Sequence, residues 1–425
     1  MKGGLVIAAC AGVVTALCAF LLHGQEKTPA SPPVDWVEDL NHTLTNDLSS
    51  LPPMDEAVDS FMRRWSLKGI SLSIMRHDSL LYARGYGYAD RNQAMTPGTL
   101  LRMASVSKLI TAVGIMKLQE QGRLYLDSPV FGPFGLLPEY DEAISDDNYY
   151  LMTVEHLLRH QGGFTQRGGD PMFSGAGIQR EMGRSTPPSR TQLVRYLVRR
   201  PLAFTPGTDQ EYSNVGYLLL SLIIEKVAGE PYEEFIRREV LSPAGCVDFH
   251  IAGNFYADKR PNETRYYMHA EASKPVPVFD GSGRQVERCY GGNDITGLSG
   301  AGAWIGSTPE LARFVATIDG RPDLKDQLSE FSVYQMTQRL SDEIYSLGWV
   351  DCTNEGEWTR TGSFSGTSAL VKVYPDGESW ILITNTSTWK GSRFSKDTGA
   401  LCQNLRSRFS SLLPSRDLFR KETAD

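Results

Sequence analysis

Apolar residues recur along this chain at two spacings, and each change of spacing marks a new element. Val58, Phe61, Met62 and Trp65 share one side of a helix at the start of the globular region, near Met54. "ISLSIMR" (70–76) and "LLYARGYGY" (80–88) then alternate apolar with polar residues, as half-buried strands do, and His77-Asp78-Ser79 between them predicts a hairpin turn. From Ser105 the helical spacing returns. Leu109, Ile110, Val113 and Met116 lie on one side, and Gly122 supplies a stop.

Residues from about 125 to 250 read as helices and loops, strongest in "TVEHLLRH", "RTQLVRYLVRR", "YLLLSLIIEKVAG" and "PYEEFIRREVL". Another helix begins in "STPELARFVATI", where Ser307 and Glu310 have the spacing of a capping box. "SALVKVYPDGESWILITN" predicts two strands joined by a Pro-Asp-Gly turn, and "ALCQNLRSRFSSLL" a closing amphipathic helix. The predicted fold class is α+β: an antiparallel sheet flanked by N- and C-terminal helices, with an inserted all-helical subdomain.

The extreme N-terminus breaks this pattern. Residues 3–22 carry no charge and match the ~20 residues that cross a bilayer. Lys2 precedes them, which favours a cytoplasmic N-terminus and an exported remainder. No A-x-A-like cleavage site follows, so an uncleaved anchor is expected over secretion after signal cleavage. The expected organisation is a membrane anchor or signal over 1–25, a proline-rich linker over 26–53, one domain over 54–413 and a tail over 414–425.

Composition narrows the function. Of 425 residues, 41% are hydrophobic and 22% charged, which excludes wholesale disorder. A net charge of −7 with no Lys/Arg cluster excludes a nucleic-acid binder. Cys10 and Cys18 fall in the apolar segment, and the other four (Cys246, Cys289, Cys352, Cys402) allow three full pairings or buried free thiols. No C-x-x-C is present. His156 and His160 are spaced i, i+4, but "HLLRH" lacks the glutamate of a metallohydrolase helix, so packing and helix-end roles are expected.

Three short segments carry candidate chemistry. Ser105-Val106-Ser107-Lys108 puts a hydroxyl and an amine one helical turn apart, where the amine can take the proton that makes a hydroxyl a poor nucleophile. Tyr212-Ser213-Asn214 precedes a helix; a phenol beside an ammonium can shuttle a proton, and an amide can orient lysine or substrate. Arg360-Thr361-Gly362 precedes Ser363 on a predicted strand, whose edge can offer an N–H to an oxyanion.

In this order the three segments resemble S-x-x-K, Y-x-N and K-T-G or H-x-G of the class C β-lactamase and penicillin-binding-protein-like serine hydrolases, a family that includes D,D-peptidases, D-aminopeptidases and esterases. "YGYADRNQAMTPGTLLRMASVSK", "TVEHLLRHQGGF", "FTPGTDQEYSNVGYLLL" and "GAGAWIGSTPELARF" extend the resemblance from about Met54 to Leu413. It implies an exported serine hydrolase that forms an acyl-enzyme on Ser105, with Lys108 and Tyr212 sharing the proton and Asn214 orienting Lys108 or substrate. The N–H groups of Ser105 and Ser363 would bind the oxyanion, with Thr361 and Gly362 beside them. The substrate would be a small or cell-wall-derived peptide, amide or ester. Class C-like β-lactam hydrolysis, or a catalytically weak penicillin-binding or sensor protein, are the alternatives. No metal or cofactor is implied; the partners are the substrate and, through the N-terminal segment, the membrane of the cell envelope.

Two departures stand out. Arg360 occupies the Lys/His position, and arginine stays protonated at any working pH; the expectation is that it binds a substrate carboxylate in bidentate fashion. "SFSG" also lacks the proline common before the family's later glycine.

Overall fold

The alternating residues at 70–88 form a hairpin of β1 (Gly69–Arg76) and β2 (Ser79–Asp90). His77 and Asp78 turn it, with φ of 46° and 58°, the left-handed pair that matches the twist of two-residue hairpins. The computed structural model describes residues 35–341 and 345–421, and the expected anchor, with Cys10 and Cys18, lies outside them. Among the described residues no helix is long and apolar enough to cross a membrane.

The hairpin belongs to a seven-stranded sheet. Its other members are β3 (Gln93–Ala94) and, after short strands β4 (Leu101–Arg102), β5 (His250–Ile251), β6 (Val276–Pro277), β7 (Gln285–Val286) and β8 (Trp304–Gly306), the C-terminal group. That group is β9 (Asp351–Cys352), β10 (Trp358–Phe364), β11 (Thr367–Val373) and β12 (Glu378–Thr384). The order is β3-β2-β1-β12-β11-β10-β9, antiparallel throughout. The Pro-Asp-Gly turn joins β11 to β12 through Gly377 at φ 95°.

Side-chain alternation sends each strand into two cores. Ile70, Leu72, Trp380 and Leu382 pack under α1 (Pro52–Trp65) and the closing helix. Ile381, Ile383, Val371 and Val373 face the inner helices: α2 (Ser107–Glu120), α3 (Asn214–Ala228) and α4 (Thr308–Ala316). The closing helix is α5 (Ser395–Phe409). The polar face of β1 is not solvated: Ser71 and Ser73 are fully buried, each 2.8 Å from the Thr308 hydroxyl. Small hydroxyls there let α4 approach the sheet closely.

The segment between β4 and β5 is helical, and β4, β8 and β5 form a small sheet beneath it. α2 runs through the middle. Its faces are buried all round, polar Ser107, Lys108 and Thr111 included, so the one-sided apolar stripe expected from sequence is too narrow.

The expected boundaries at Met54 and Leu413 are corrected. Trp36, Leu40 and Leu44, placed in the linker, are buried, as are Leu418 and Phe419 of the tail. The Arg313 guanidinium lies 4.8 Å from the Trp36 ring and 5.3 Å from that of Phe419, and Val37 N donates to Phe419 O at 2.8 Å. The two ends of the domain close over one cation. Only half of the expected capping box forms: Ser307 caps α4, but the buried Glu310 carboxylate accepts from the Val247 and Asp248 amides instead of turning back.

At the hairpin tip, Asp78 and Asp319 are buried beside Asp326 of the loop after α4. Cys246, Cys289, Cys352 and Cys402 are buried free thiols.

Candidate active site

Ser105 sits on a single tight turn, Ala104–Val106, that leads into α2. Its approach is fixed on both sides. Met103 N donates to Trp304 O at 3.0 Å from the small sheet, and the Ser107 hydroxyl accepts from Trp304 N at 3.2 Å. Ala104 is held at φ 48°, a strained setting for a residue with a side chain, which the paired segments around it sustain.

One turn on, Lys108 is fully buried. Its Nζ donates to Ser105 Oγ at 3.3 Å, to Asn214 Oδ1 at 2.7 Å and to Ala301 O at 2.5 Å. Burial, reinforced by the charge of Arg360, pulls the ammonium down to about 8. Tyr212 donates to Ser105 Oγ at 2.7 Å. Burial by itself would push this phenol up, but the charges of Lys108 and Arg360 outweigh it and bring it down to about 8. An acid and a base that titrate together beside one hydroxyl can pass its proton at neutral pH.

The Tyr212 loop is set by His160, for which the sequence predicts a packing or helix-end role. His160 accepts twice from that loop: Nδ1 from Ser213 N at 3.1 Å and its carbonyl from Glu211 N at 3.0 Å. Its ring lies 4.4 Å from that of Tyr212. Burial, with Lys108 and Arg360 nearby, holds it well below the usual imidazole range, so it stays neutral. His156 instead accepts from Thr153 N in a helix cap, so the two histidines serve different partners. Ser213, not Asn214, caps α3, which frees the Asn214 amide for Lys108.

Strand β10 completes the wall. Thr361, Gly362, Ser363 and Phe364 line the cleft. Gly362 is there for lack of a side chain: a Cβ would stand 2.3 Å from Met103 O and 3.0 Å from Ser105 N. This close approach brings the strand edge alongside the Ser105 amide.

Arg360 does not face the cleft, which corrects the expectation for its side chain. It is fully buried behind Tyr212. Nε donates to Ser105 O at 2.8 Å and Nη2 to Tyr212 Oη at 3.3 Å, while Nη1 has no partner among the described residues. Strand parity explains it, because Arg360 and Gly362 point to the same inner side. The guanidinium grips the Ser105 turn and lends its charge to the phenol's surroundings.

Sequence reading missed Asp170. It caps the short turn Pro171–Phe173, 44 residues before Asn214 and with no motif around it, yet its Oδ2 accepts from Asn214 Nδ2 at 2.6 Å. That bond fixes which end of the amide meets Lys108. Gln166, Phe173 and Tyr345 also line the cleft, whose volume is about 430 Å³, within the range of small-molecule sites.

A profile of the beta-lactamase family, described as Beta-lactamase, matches residues 54–404. Esterase EstB of Burkholderia gladioli is 30% identical over 366 residues, 79% of this chain and 90% of that protein. A penicillin-binding protein of Bacillus subtilis (strain 168) is 27% identical over 70% of this chain and 63% of its own length. The structure of D-amino acid amidase from Ochrobactrum anthropi SV3, complexed with L-phenylalanine, has the same fold, with a TM-score of 0.66 at 22% identity over 84% of this chain and 98% of that one.

Proposed function

Because the chain belongs to the beta-lactamase family and is a serine hydrolase, we propose that it cleaves an ester, amide or peptide bond through an acyl-enzyme on Ser105. The observation that carries this is the convergence of Tyr212 Oη, at 2.7 Å, and Lys108 Nζ, at 3.3 Å, on one hydroxyl oxygen.

Ser105 Oγ attacks the carbonyl carbon as its proton passes to the Tyr212–Lys108 pair. The negative charge that forms on the carbonyl oxygen is met by the N–H groups of Ser105 and Ser363; the close seat of Gly362 against Ser105 N supports this pairing. Collapse breaks the bond to the leaving group, which takes the proton from Tyr212. Water then enters by the same route and releases the acid and Ser105. Asn214 holds Lys108, and Arg360 supplies fixed charge.

Labelling with a fluorophosphonate tests the reading. Ser105 should gain the phosphonyl mass, and Ser105→Ala should not; equal labelling of both would overturn it. The cleft volume favours a small substrate. Export through the uncharged segment 3–22 is part of the proposal, and recovery of the intact chain in the membrane fraction is its expected result.

A further inference from the structure

Among the described residues, the side chains that line the catalytic cleft include one with a formal charge, and it is negative: Asp170. Lys108 and Arg360 are fully buried behind the wall. Asp170 accepts from Asn214 Nδ2 at 2.6 Å, Gln166 Nε2 at 3.3 Å and Met172 N at 2.9 Å. All three donors are neutral, and the buried Lys108 ammonium feels the Asp170 charge without a hydrogen bond to it. A carboxylate has about four lone-pair sites, so three such bonds leave acceptor capacity toward the cleft.

From this we infer that the substrate carries a free ammonium that docks on Asp170, which makes the substrate class an aminoacyl ester or amide. The inference rests on the hydrolase reading above. The geometry limits the reach. Asp170 bonds Asn214, Asn214 bonds Lys108, and Lys108 lies 3.3 Å from Ser105 Oγ, so two side chains bridge the carboxylate to the attacking oxygen within one cleft. A carboxylate partly withdrawn from water with only neutral donors is complementary to a ligand cation, and the same charge disfavours a substrate carboxylate at that place. The sign is thus opposite to the one expected when Arg360 was taken to face the substrate.

The test compares ethyl alaninate, as either enantiomer, with ethyl isobutyrate, in which a methyl replaces the ammonium. Rates are measured below pH 7, where the amine is charged, on wild type and Asp170→Asn. Loss of the Asn214 contact should lower both rates. The ratio of kcat/KM for the better alanine ester to that for isobutyrate should fall at least tenfold further in the variant, mostly through KM. Equal losses on both esters would reduce Asp170 to a positioning residue for Asn214 and overturn the inference. So would a wild type that is labelled at Ser105 by the fluorophosphonate yet does not turn over alanine esters. A wild type that is neither labelled nor active on either ester would overturn the hydrolase reading itself.

Discussion

Lys108, Tyr212 and Arg360 around Ser105, and Asp78, Asp319 and Asp326 under the first hairpin, are both clusters of buried ionisable groups. In the first, opposing forces cancel. Burial lowers the lysine and would raise the phenol, while the two cations draw the phenol back, and both groups arrive near 8. In the second, burial and like charge outweigh the one cation beside Asp319, Arg321, so Asp78 and Asp319 are held above the usual carboxylate range and Asp326 rises to about 7. Bonding differs as well. The Lys108 ammonium makes three hydrogen bonds, whereas both oxygens of Asp78 and Asp326 Oδ1 accept no hydrogen bond among the described residues, and Asp319 Oδ2 has only the Arg321 guanidinium, at 3.4 Å. Where burial is offset by cations, two groups meet at one value; where it is not, acids stay protonated at a cost to the fold.

Four variants sharpen that contrast. Ser105→Ala should lower kcat/KM for an ester by several orders of magnitude, as removal of a nucleophile does, with the thermal midpoint nearly unchanged. Gly362→Ala should cost about a hundredfold in kcat, because its methyl displaces Met103 and Ser105 by a few tenths of an ångström or more from their seat against β10. Steady-state rates of a folded variant check it, and wild-type activity would remove the close approach from the mechanism.

Arg360→Met should act on pH dependence. Arg360 lowers both Lys108 and Tyr212, so its removal raises both. The acid limb of the kcat/KM profile should move upward by about one unit, with roughly tenfold less activity at pH 7. A profile that keeps its limb while losing amplitude would leave Arg360 only its grip on the Ser105 carbonyl.

The smallest effect belongs to the acid cluster. Asp319 is raised by burial and by Asp78, so its folded value lies above its unfolded one near 4. Its stabilisation is complete below that unfolded value and is lost as pH rises toward the folded one. Asp319→Asn should therefore stabilise the protein by on the order of 2 kcal/mol at pH 8, less at pH 5, and leave ester hydrolysis unchanged. Thermal melts at the two pH values decide this. A gain that is equal at both would mean that the proton of Asp319 is not what costs stability.

Local signals carried much of this molecule. The hairpin at 77–78, the Pro-Asp-Gly turn and the helices around Ser105 and Asn214 follow from turn chemistry and periodicity, which act within a few residues. The three segments also converge on Ser105. What sequence did not reveal depends on contacts between distant residues. Asp170 meets Asn214 from a loop without periodicity, and Trp36 and Phe419 need Arg313 to become core rather than linker and tail. Ser71 and Ser73 read as a wet face because Thr308, their partner, comes from the other half of the chain. The direction of Arg360 was available from strand parity with Gly362, yet its role depended on what stood behind the strand.

The position of β1 beside β12 has a consequence for how the protein is made. Ile70 pairs with Thr384, so the middle of the sheet joins the first strand out of the ribosome to the last. Until β12 is synthesised, the edge of β1 has no partner on that side, and β9, β10 and β11 cannot join the first hairpin. Contacts so distant in sequence form slowly and leave strand edges open to association in the meantime. Truncation before Glu378 is therefore expected to leave the facing edges of β1 and β11 open, and to cost solubility as well as activity.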